Sequence, residues 1–465
     1  MIPQTIQIGQ FALGAQYDDI PPSTADQLKR HLLDSIGSFI FAQDQLPVIK
    51  LRNAFSDLQG ENRIIPIRDL SFDKLSQYFT ALIRYPDFMD NFLGKESTCH
   101  PSDNIGPLLA ADKLVSLSGK DFLLAMAIGY QIECRLTKEM PVMIEGYDHT
   151  ALLAFSVTAE LARVLSLTEA ETACALGMAG CAFNPLVTCR TAYTTEWKGF
   201  ASSSVNAGCA MIVLLAKNKM TGPVDLFEKP VKGYDAIYGM DLKYDWTTEN
   251  FDLIPRCILK SYNAEVHSQS AVEAALELRA EHSFNPSEIE TVDISTFLNA
   301  YHIVGGGEYG DRKTVFTKEA GDHSMPYVVA VAILDGQVYP EQLYPERIMQ
   351  PDVQELLQKV NIHTTSPIHK PVKLAGILDK KTDAYPDKLI SEVTIELKNG
   401  EKFSLEKESY KGFFLNPLSW EDVIKKFKKL TGNKVSETTK DEIIDIVQNL
   451  ETHDVSDLLQ KIVIE

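Results

Sequence analysis

The stretch Thr168-Glu-Ala-Glu-Thr-Ala-Cys-Ala-Leu-Gly-Met-Ala-Gly-Cys-Ala182 decides the fold. Thr168 with Glu171 three residues on forms a capping box, in which each side chain accepts a hydrogen bond from the other's backbone N–H, and so starts a helix. Behind the cap most residues are alanine, glycine or cysteine. Side chains that small let neighbouring helices approach closely, as a compact multi-helix core requires. Outward from this run the same theme continues from Ser23 to about residue 250. Pro21-Pro22-Ser23 precedes Leu28, Leu32, Leu33, Ile36, Phe39 and Ile40, a stop followed by helical periodicity. Residues 122–136 and 151–165 are apolar nearly all round, the pattern of buried helices.

Residues 172–189 and 199–216 carry no charge and are long enough to raise the question of a membrane span. Asn184-Pro185 interrupts the first, and Ser202, Ser203, Ser204 and Asn206 crowd the second, so both read as buried segments of a helical domain. Near Pro255 the pattern changes. Ile289-Glu-Thr-Val-Asp-Ile-Ser-Thr-Phe297 alternates with period two, Val360-Asn-Ile-His-Thr-Thr365 is short and β-branched, and residues 393–405 read as a hairpin turning at Asn399-Gly400. Helices over 268–279 and 326–334 sit among these strands. The expected fold is therefore mainly α: an all-α domain over 1–262, a smaller α+β lid domain over 263–412, and C-terminal helices over 413–465 returning to the helical domain.

A chain of 465 residues with 45% hydrophobic residues is ample for a large buried core. Its net charge of −19 disfavours nucleic acid and anionic membrane surfaces as partners, whereas a small anionic substrate needs only local basic residues. The N-terminal Met1-Ile-Pro-Gln-Thr-Ile-Gln7 lacks the basic and apolar regions of a secretory signal, so the expected location is cytoplasmic. Seven cysteines without paired spacing suit a reducing compartment. There is no Cys-x-x-Cys and no His-x-x-x-His, so no metal centre or iron–sulfur cluster is written locally, and no cofactor is expected.

Four segments carry chemistry. Tyr85-Pro-Asp-Phe-Met-Asp-Asn-Phe-Leu-Gly-Lys-Glu-Ser-Thr-Cys-His-Pro-Ser-Asp-Asn104 places two carboxylates and a histidine between apolar helices. On a helix end Asp87 and Asp90 would share one face, while Pro101 forces an extended or turn conformation on His100. A histidine fixed in a turn suits general acid–base work near neutral pH, although helix capping by the aspartates and packing of the histidine is the bland alternative. In Gly146-Tyr-Asp-His-Thr150 the histidine stands at a helix N-terminus, which disfavours its cationic form; a lone histidine there is more often a cap. Arg190-Thr-Ala-Tyr-Thr-Thr-Glu-Trp-Lys198 sets Lys198 before a long uncharged helix, a ready anion site or else a snorkelling surface lysine. Lys260-Ser-Tyr-Asn-Ala-Glu-Val-His267 lies where one domain hands over to the next, a favoured place for ligands and also for a polar linker. Gly305-Gly-Gly307 is a flexible loop, and Asp322-His-Ser324 reads as a helix N-terminus.

These pieces, in this order, resemble the MmgE/PrpD family, which includes 2-methylcitrate dehydratase and cis-aconitate decarboxylase. The resemblance rests on Asp87-Phe-Met-Asp-Asn91, His100-Pro-Ser-Asp-Asn104, Gly146-Tyr-Asp-His149, Trp197-Lys198, Lys260 with Ala264-Glu-Val-His-Ser-Gln269, and Asp322-His-Ser-Met-Pro-Tyr-Val-Val-Ala-Val-Ala332. It implies a helical domain joined to an α+β lid, an active site between them, a homodimer, and catalysis without metal. It carries catalytic roles onto Asp87, His100, His149, Lys198 and Lys260. Asn91, Ser102, Arg190, His267 and Tyr301 are the expected substrate contacts. Asn91 stands where members commonly have threonine, and Asn263 where proline is frequent, which leaves the substrate open within the class.

The expected activity is that of a metal-independent lyase on a small di- or tricarboxylic acid, most simply a 2-methylcitrate dehydratase-like hydro-lyase. Lys198 and Lys260 would neutralise substrate carboxylates, His100 would exchange a proton with the substrate while Asp87 orients it or acts as its partner, and His149 would assist the leaving hydroxyl. The sequence assigns both histidines to proton transfer without dividing acid from base between them. Decarboxylation of a cis-aconitate-like acid and epimerisation of a dicarboxylate start from the same carbanion-like centre and are the alternatives. A non-catalytic helical binding scaffold is the alternative of another class.

Overall fold

The computed structural model describes residues 2–61, 63–370 and 372–463. Its chain is mainly helical, with one two-stranded ribbon, β1 (Phe92–Leu93) and β2 (Thr98–Cys99), and one four-stranded sheet built from β3 (Ile289–Thr296), β4 (Val360–Thr364), β5 (Ser391–Leu397) and β6 (Lys402–Lys407). It divides into two compact units. The helical unit comprises Met1–Val187, Gly199–Leu259 and Leu418–Glu465, and the second comprises Thr188–Lys198 and Lys260–Pro417.

In the helical unit the capping box forms: Glu171 Oε2 accepts from Thr168 N–H at 2.8 Å and Thr168 Oγ1 from Glu171 N–H at 3.4 Å, ahead of the helix Glu169–Ala182. The apolar runs become Gly119–Glu139 and Thr150–Val164, which pack on each other. Phe72–Arg84 packs on Ile105–Ala111 and Ala201–Lys217. Small residues make this possible, since a β-carbon at Gly106 would collide with the Thr80 backbone. The C-terminal helix Trp420–Thr431 returns to pack on Pro22–Ala42, and Phe427 and Val423 join the same core as Leu28 and Phe39. Both uncharged runs lie in this unit or at its edge. Among the described residues no helix is long and apolar enough to cross a membrane.

The second unit holds the sheet in the order β4-β3-β5-β6, with β3 and β4 parallel and the other pairs antiparallel. Ile289, Val292 and Ile294 of β3 and Val393, Ile395 and Leu397 of β5 are buried, and the helices Gln269–Glu281, Met325–Asp335 and Pro351–Lys359 pack against this sheet and one another. β5 and β6 form the expected hairpin, in which Gly400 takes the positive φ of 88° that the turn requires. One difference from the sequence expectation stands out: Thr188–Lys198 belongs to this second unit, although it lies inside the run expected to be purely helical domain. The cause is specific bonding. Ala192 N–H donates to Tyr309 O (2.7 Å), Arg312 Nη1 to Ala192 O (2.9 Å) and Thr194 Oγ1 to Glu319 O (2.6 Å). These bonds span more than a hundred residues of chain and leave no periodic trace in it.

Candidate active site

In the helical unit, Asp87 and Asp90 do not share a helix face. The helix ends at Arg84, Pro86 follows, and Asp87 adopts a φ of 57°, so the chain turns and the two carboxylates diverge. Positive φ is uncommon for a non-glycine residue and persists only where its surroundings hold it. Here Arg84 Nη1 donates to Asp87 Oδ1 at 2.9 Å, with both side chains buried. Asp90 points instead to His31, whose Nδ1 lies 2.9 Å from Asp90 Oδ2, and Asp90 Oδ1 accepts from Ser102 N–H at 3.0 Å. Burial alone would raise the Asp90 carboxyl, but the His31 and Ser102 hydrogen bonds outweigh it and hold the group below its usual range.

His100 is extended (φ −122°, ψ 87°), as a residue before proline must be, and leads into the 3₁₀ turn Pro101–Asn104. Its Nδ1 lies 2.8 Å from the Asp90 carbonyl oxygen. A carbonyl only accepts, so Nδ1 carries the hydrogen and Nε2 of the neutral ring carries the lone pair. His149 immediately precedes the helix Thr150–Val164, and its ring centroid is 5.2 Å from that of His100 at an interplanar angle of 63°. Both histidines are buried. Asn91 pairs through its backbone with Ile258, while Asn91 Oδ1 and Ser102 Oγ are buried without a hydrogen-bond partner among the described residues. Thus Asn91, His100, Ser102 and His149 lie in one polar region of the helical unit, and Asp87 stands on the same loop, bonded to Arg84.

The second unit gathers cations. Lys198 Nζ lies 2.7 Å from Asp322 Oδ1 and 2.9 Å from His323 Nδ1, and Lys318 Nζ lies 2.8 Å from Asp322 Oδ2. Burial would raise the Asp322 carboxyl, yet Lys198, Lys318 and His323 drive it far below its usual range. Glu265 is held low in the same way, burial being outweighed by His267, His323 and Lys260, and Arg312 interacts with both carboxylates. Four cations around two buried carboxylates leave surplus positive charge, which suits an anion. His267 is occupied on both nitrogens, by Glu265 Oε1 (2.7 Å) and Tyr385 Oη (3.1 Å). Arg190 Nη1 donates to Lys198 O at 3.4 Å. Tyr301 is on the helix Leu298–Val304, half-buried with its ring beside those of His302 and His369 rather than among the lysine cluster's hydrogen bonds.

Sequence reasoning passed over His31, Arg84, Asp34 and Lys426 in the first unit and Lys318 and Tyr385 in the second. Arg84 could have been found, because a basic residue three positions before Asp87 at a helix end is a local pairing signal. Asp322-His-Ser324 was legible only as a helix start; Ser324 does cap Met325–Asp335, and the two residues before it engage Lys198. A cavity of about 530 Å³ in the helical unit is lined by Phe11, Trp246, Phe251 and Glu249 among others and contains none of the candidate residues, so the site is defined by its chemistry rather than by that hollow.

A helical unit with neighbouring buried histidines and carboxylates is thus followed by an α+β unit with a buried lysine-rich cluster. Residues 6–245 match the MmgE/PrpD N-terminal domain and residues 262–452 the MmgE/PrpD C-terminal domain. The chain belongs to the MmgE/PrpD family. It is 27% identical over 363 residues to a 2-methylcitrate dehydratase of Escherichia coli, covering 73% of this chain and 71% of that protein. It is also 24% identical over 449 residues to the cis-aconitate decarboxylase of Homo sapiens, covering 91% and 86%, and 27% identical over 359 residues to a probable 2-methylcitrate dehydratase of Saccharomyces cerevisiae, covering 70% and 67%.

Proposed function

We propose that the protein is a lyase acting on a small di- or tricarboxylic acid, as a 2-methylcitrate dehydratase-like hydro-lyase that uses no metal or cofactor. The observation that carries this reading is the His100 Nδ1 to Asp90 carbonyl hydrogen bond, which reserves Nε2 as the basic nitrogen. In the proposed reaction His100 Nε2 takes the proton from the carbon next to a substrate carboxylate. The electron pair forms the alkene as the C–O bond breaks, and His149 protonates the departing hydroxyl, which leaves as water. Asp87, fixed by Arg84, is the charged partner in the histidine region, and Lys198 and Lys260 hold substrate carboxylates and offset the enolate-like charge that develops. Asn91 and Ser102, with buried unpartnered oxygens, are the proposed polar contacts to the substrate, together with Arg190, His267 and Tyr301.

The protein is further proposed to be a cytoplasmic homodimer. The helix Ala201–Lys217 exposes Met211 (49%), an apolar side chain that a second copy would cover in such a dimer.

Incubating purified protein with 2-methylcitrate, citrate and cis-aconitate, and following alkene absorbance and released carbon dioxide, tests the reading. Alkene formation from a hydroxy acid supports it; carbon dioxide from cis-aconitate would move the assignment to a decarboxylase. No turnover of any of them by a folded, chelator-treated sample refutes it and favours a binding scaffold.

A further inference from the structure

We propose that Arg312 is a further substrate-binding residue of the second unit, holding one carboxylate of the di- or tricarboxylic acid through Nη2. This deepens the reading of the lysine cluster as an anion site and rests on it. Arg312 lies in the loop between the helices Leu298–Val304 and Lys318–Gly321 and is 4% exposed. A guanidinium keeps its charge across the working pH range, so one this deep needs acceptors for its donors. Two of its three nitrogens have them. Nε donates to the Ile303 carbonyl and Nη1 to the Ala192 carbonyl, both at 2.9 Å. Nη2 is buried without a hydrogen-bond partner among the described residues, an expensive state for a charged donor.

The surroundings of Arg312 define the acceptor that would complete it. Burial works against its charge, and Glu265, Asp311 and Asp322 support that charge through space. All three carboxylates are bonded to other groups. Asp322 Oδ1 accepts from Lys198 Nζ and lies 2.7 Å from His323 Nδ1, and its Oδ2 accepts from Lys318 Nζ. Glu265 Oε1 lies 2.7 Å from His267 Nδ1, and its Oε2 accepts from His267 N–H at 2.8 Å. Asp311 accepts from the backbone N–H groups of Lys313 and Thr314. An arginine donor left over among carboxylates that are already bonded is matched by an acceptor from outside the chain, and an ionised carboxylate makes the strongest such bond. Stapling Ala192 and Ile303 together accounts for Nη1 and Nε and leaves Nη2 unexplained. The same two bonds also fix its aim, because the guanidinium is planar and Nη2 cannot swing away while both carbonyls are held.

The test is calorimetric titration of the full-length chain with citrate and with two dicarboxylates, citramalate and 3-hydroxyglutarate, each lacking a different one of citrate's carboxylates. Binding is read directly or by competition with citrate, and no turnover is needed. Arg312→Met is expected to weaken citrate binding at least tenfold. The dicarboxylate that lacks the carboxylate held by Arg312 is expected to weaken less than threefold, because it never made that contact. A purely structural role weakens all three ligands alike. Equal losses for the three ligands, or citrate binding that stays within threefold of wild type, therefore overturn the proposal. Arg312→Lys, which keeps the charge and loses the fork, replaces the first variant if that does not fold and carries the same ligand-dependent expectation. A wild type that binds none of the three refutes the anion site itself and this proposal with it. Citrate binding that survives Arg312→Met removes Arg312 alone and leaves the lyase reading intact.

Discussion

Replacing Glu160 by glutamine should stabilise this protein at neutral pH and lose that advantage in acid. Glu160 lies on Thr150–Val164 and Glu133 on the neighbouring helix Gly119–Glu139, and neither side chain is exposed. Neither oxygen of Glu160 has a hydrogen-bond partner among the described residues, while Glu133 Oε2 accepts from Asn104 Nδ2 at 2.7 Å. Burial, and secondarily the charge of Glu133, pushes the Glu160 carboxyl well above its usual value, and burial does the same to Glu133. A group whose folded pKa is raised binds a proton in the native chain that the unfolded chain has released. Its contribution is therefore favourable at pH values below the unfolded pKa of about 4.3, and stability falls as pH rises above that value, by about 1.4 kcal/mol per pH unit for each acid that stays protonated. From pH 5 to pH 7 one such acid removes roughly 3 kcal/mol.

Glutamine keeps the shape and never ionises. The Glu160→Gln chain should be about 3 kcal/mol more stable than wild type at pH 7, after allowing ~1 kcal/mol for an amide N–H that finds no acceptor. At pH 5 the two chains should be nearly equal. Urea unfolding followed by far-UV circular dichroism at the two pH values, compared as shifts in midpoint at a common slope, measures the difference. A substitution that changes the midpoint equally at pH 5 and pH 7, or that destabilises at both, would mean that Glu160 is ionised in the folded chain and refute the argument.

His100→Gln should lower kcat by about 10²–10⁴-fold while leaving the thermal midpoint within a few degrees, measured by steady-state assay and differential scanning fluorimetry; equal activity would remove His100 from the chemistry. Lys260→Ala should raise KM for a polycarboxylate more than it lowers kcat, and should abolish the thermal shift that millimolar citrate gives the wild type. Met211→Glu should convert a dimer to a monomer in sedimentation velocity, because it places charge on the exposed apolar side chain proposed to be covered by a second copy.

Local signals made the helical unit and the sheet legible. The Thr168–Glu171 box, the small residues behind it and the period-two runs at 289–297 and 393–405 each act within a few residues, so periodicity and capping report them directly. The site was legible for the same reason only in part. His100-Pro101 and His149 at a helix start are local signatures: His100 is extended ahead of its proline, and His149 does immediately precede the helix Thr150–Val164, although in a helical rather than a capping conformation. The groups that hold them are not local: His31 lies 59 residues from Asp90 and Lys426 lies 338 from Phe88. Asp87 and Asp90 show the opposite failure, in which a valid local rule was overridden. Spacing of three places two side chains on one face only while the helix continues, and Pro86 with the positive φ at Asp87 ends it first.

Five of the buried acids of the helical unit fall into two groups, according to whether a basic side chain is bonded to them. Asp87 and Asp90 are bonded to Arg84 and His31, and Asp34 is paired with Lys426, so removing charge from this region means removing groups in pairs. Glu133 and Glu160 have no cation bonded to them in the described residues, and burial pushes both carboxyls well above their usual range, which favours the neutral form over a buried charge. Asn104 joins the two regions: its Nδ2 donates to Glu133 Oε2 and to the Pro101 carbonyl (2.9 Å), one residue after His100. Loss of the proton from Glu133 at high pH would place a full charge beside the turn that carries His100. The proposed base is therefore flanked on one side by hydrogen-bonded carboxylates and on the other by a carboxyl that burial pushes well above its usual range. Glu133→Gln, neutral at every pH, should extend the alkaline limit of the reaction while leaving the acid limit where it is, and a pH–rate profile unchanged on its alkaline side would sever the link between Asn104 and the chemistry.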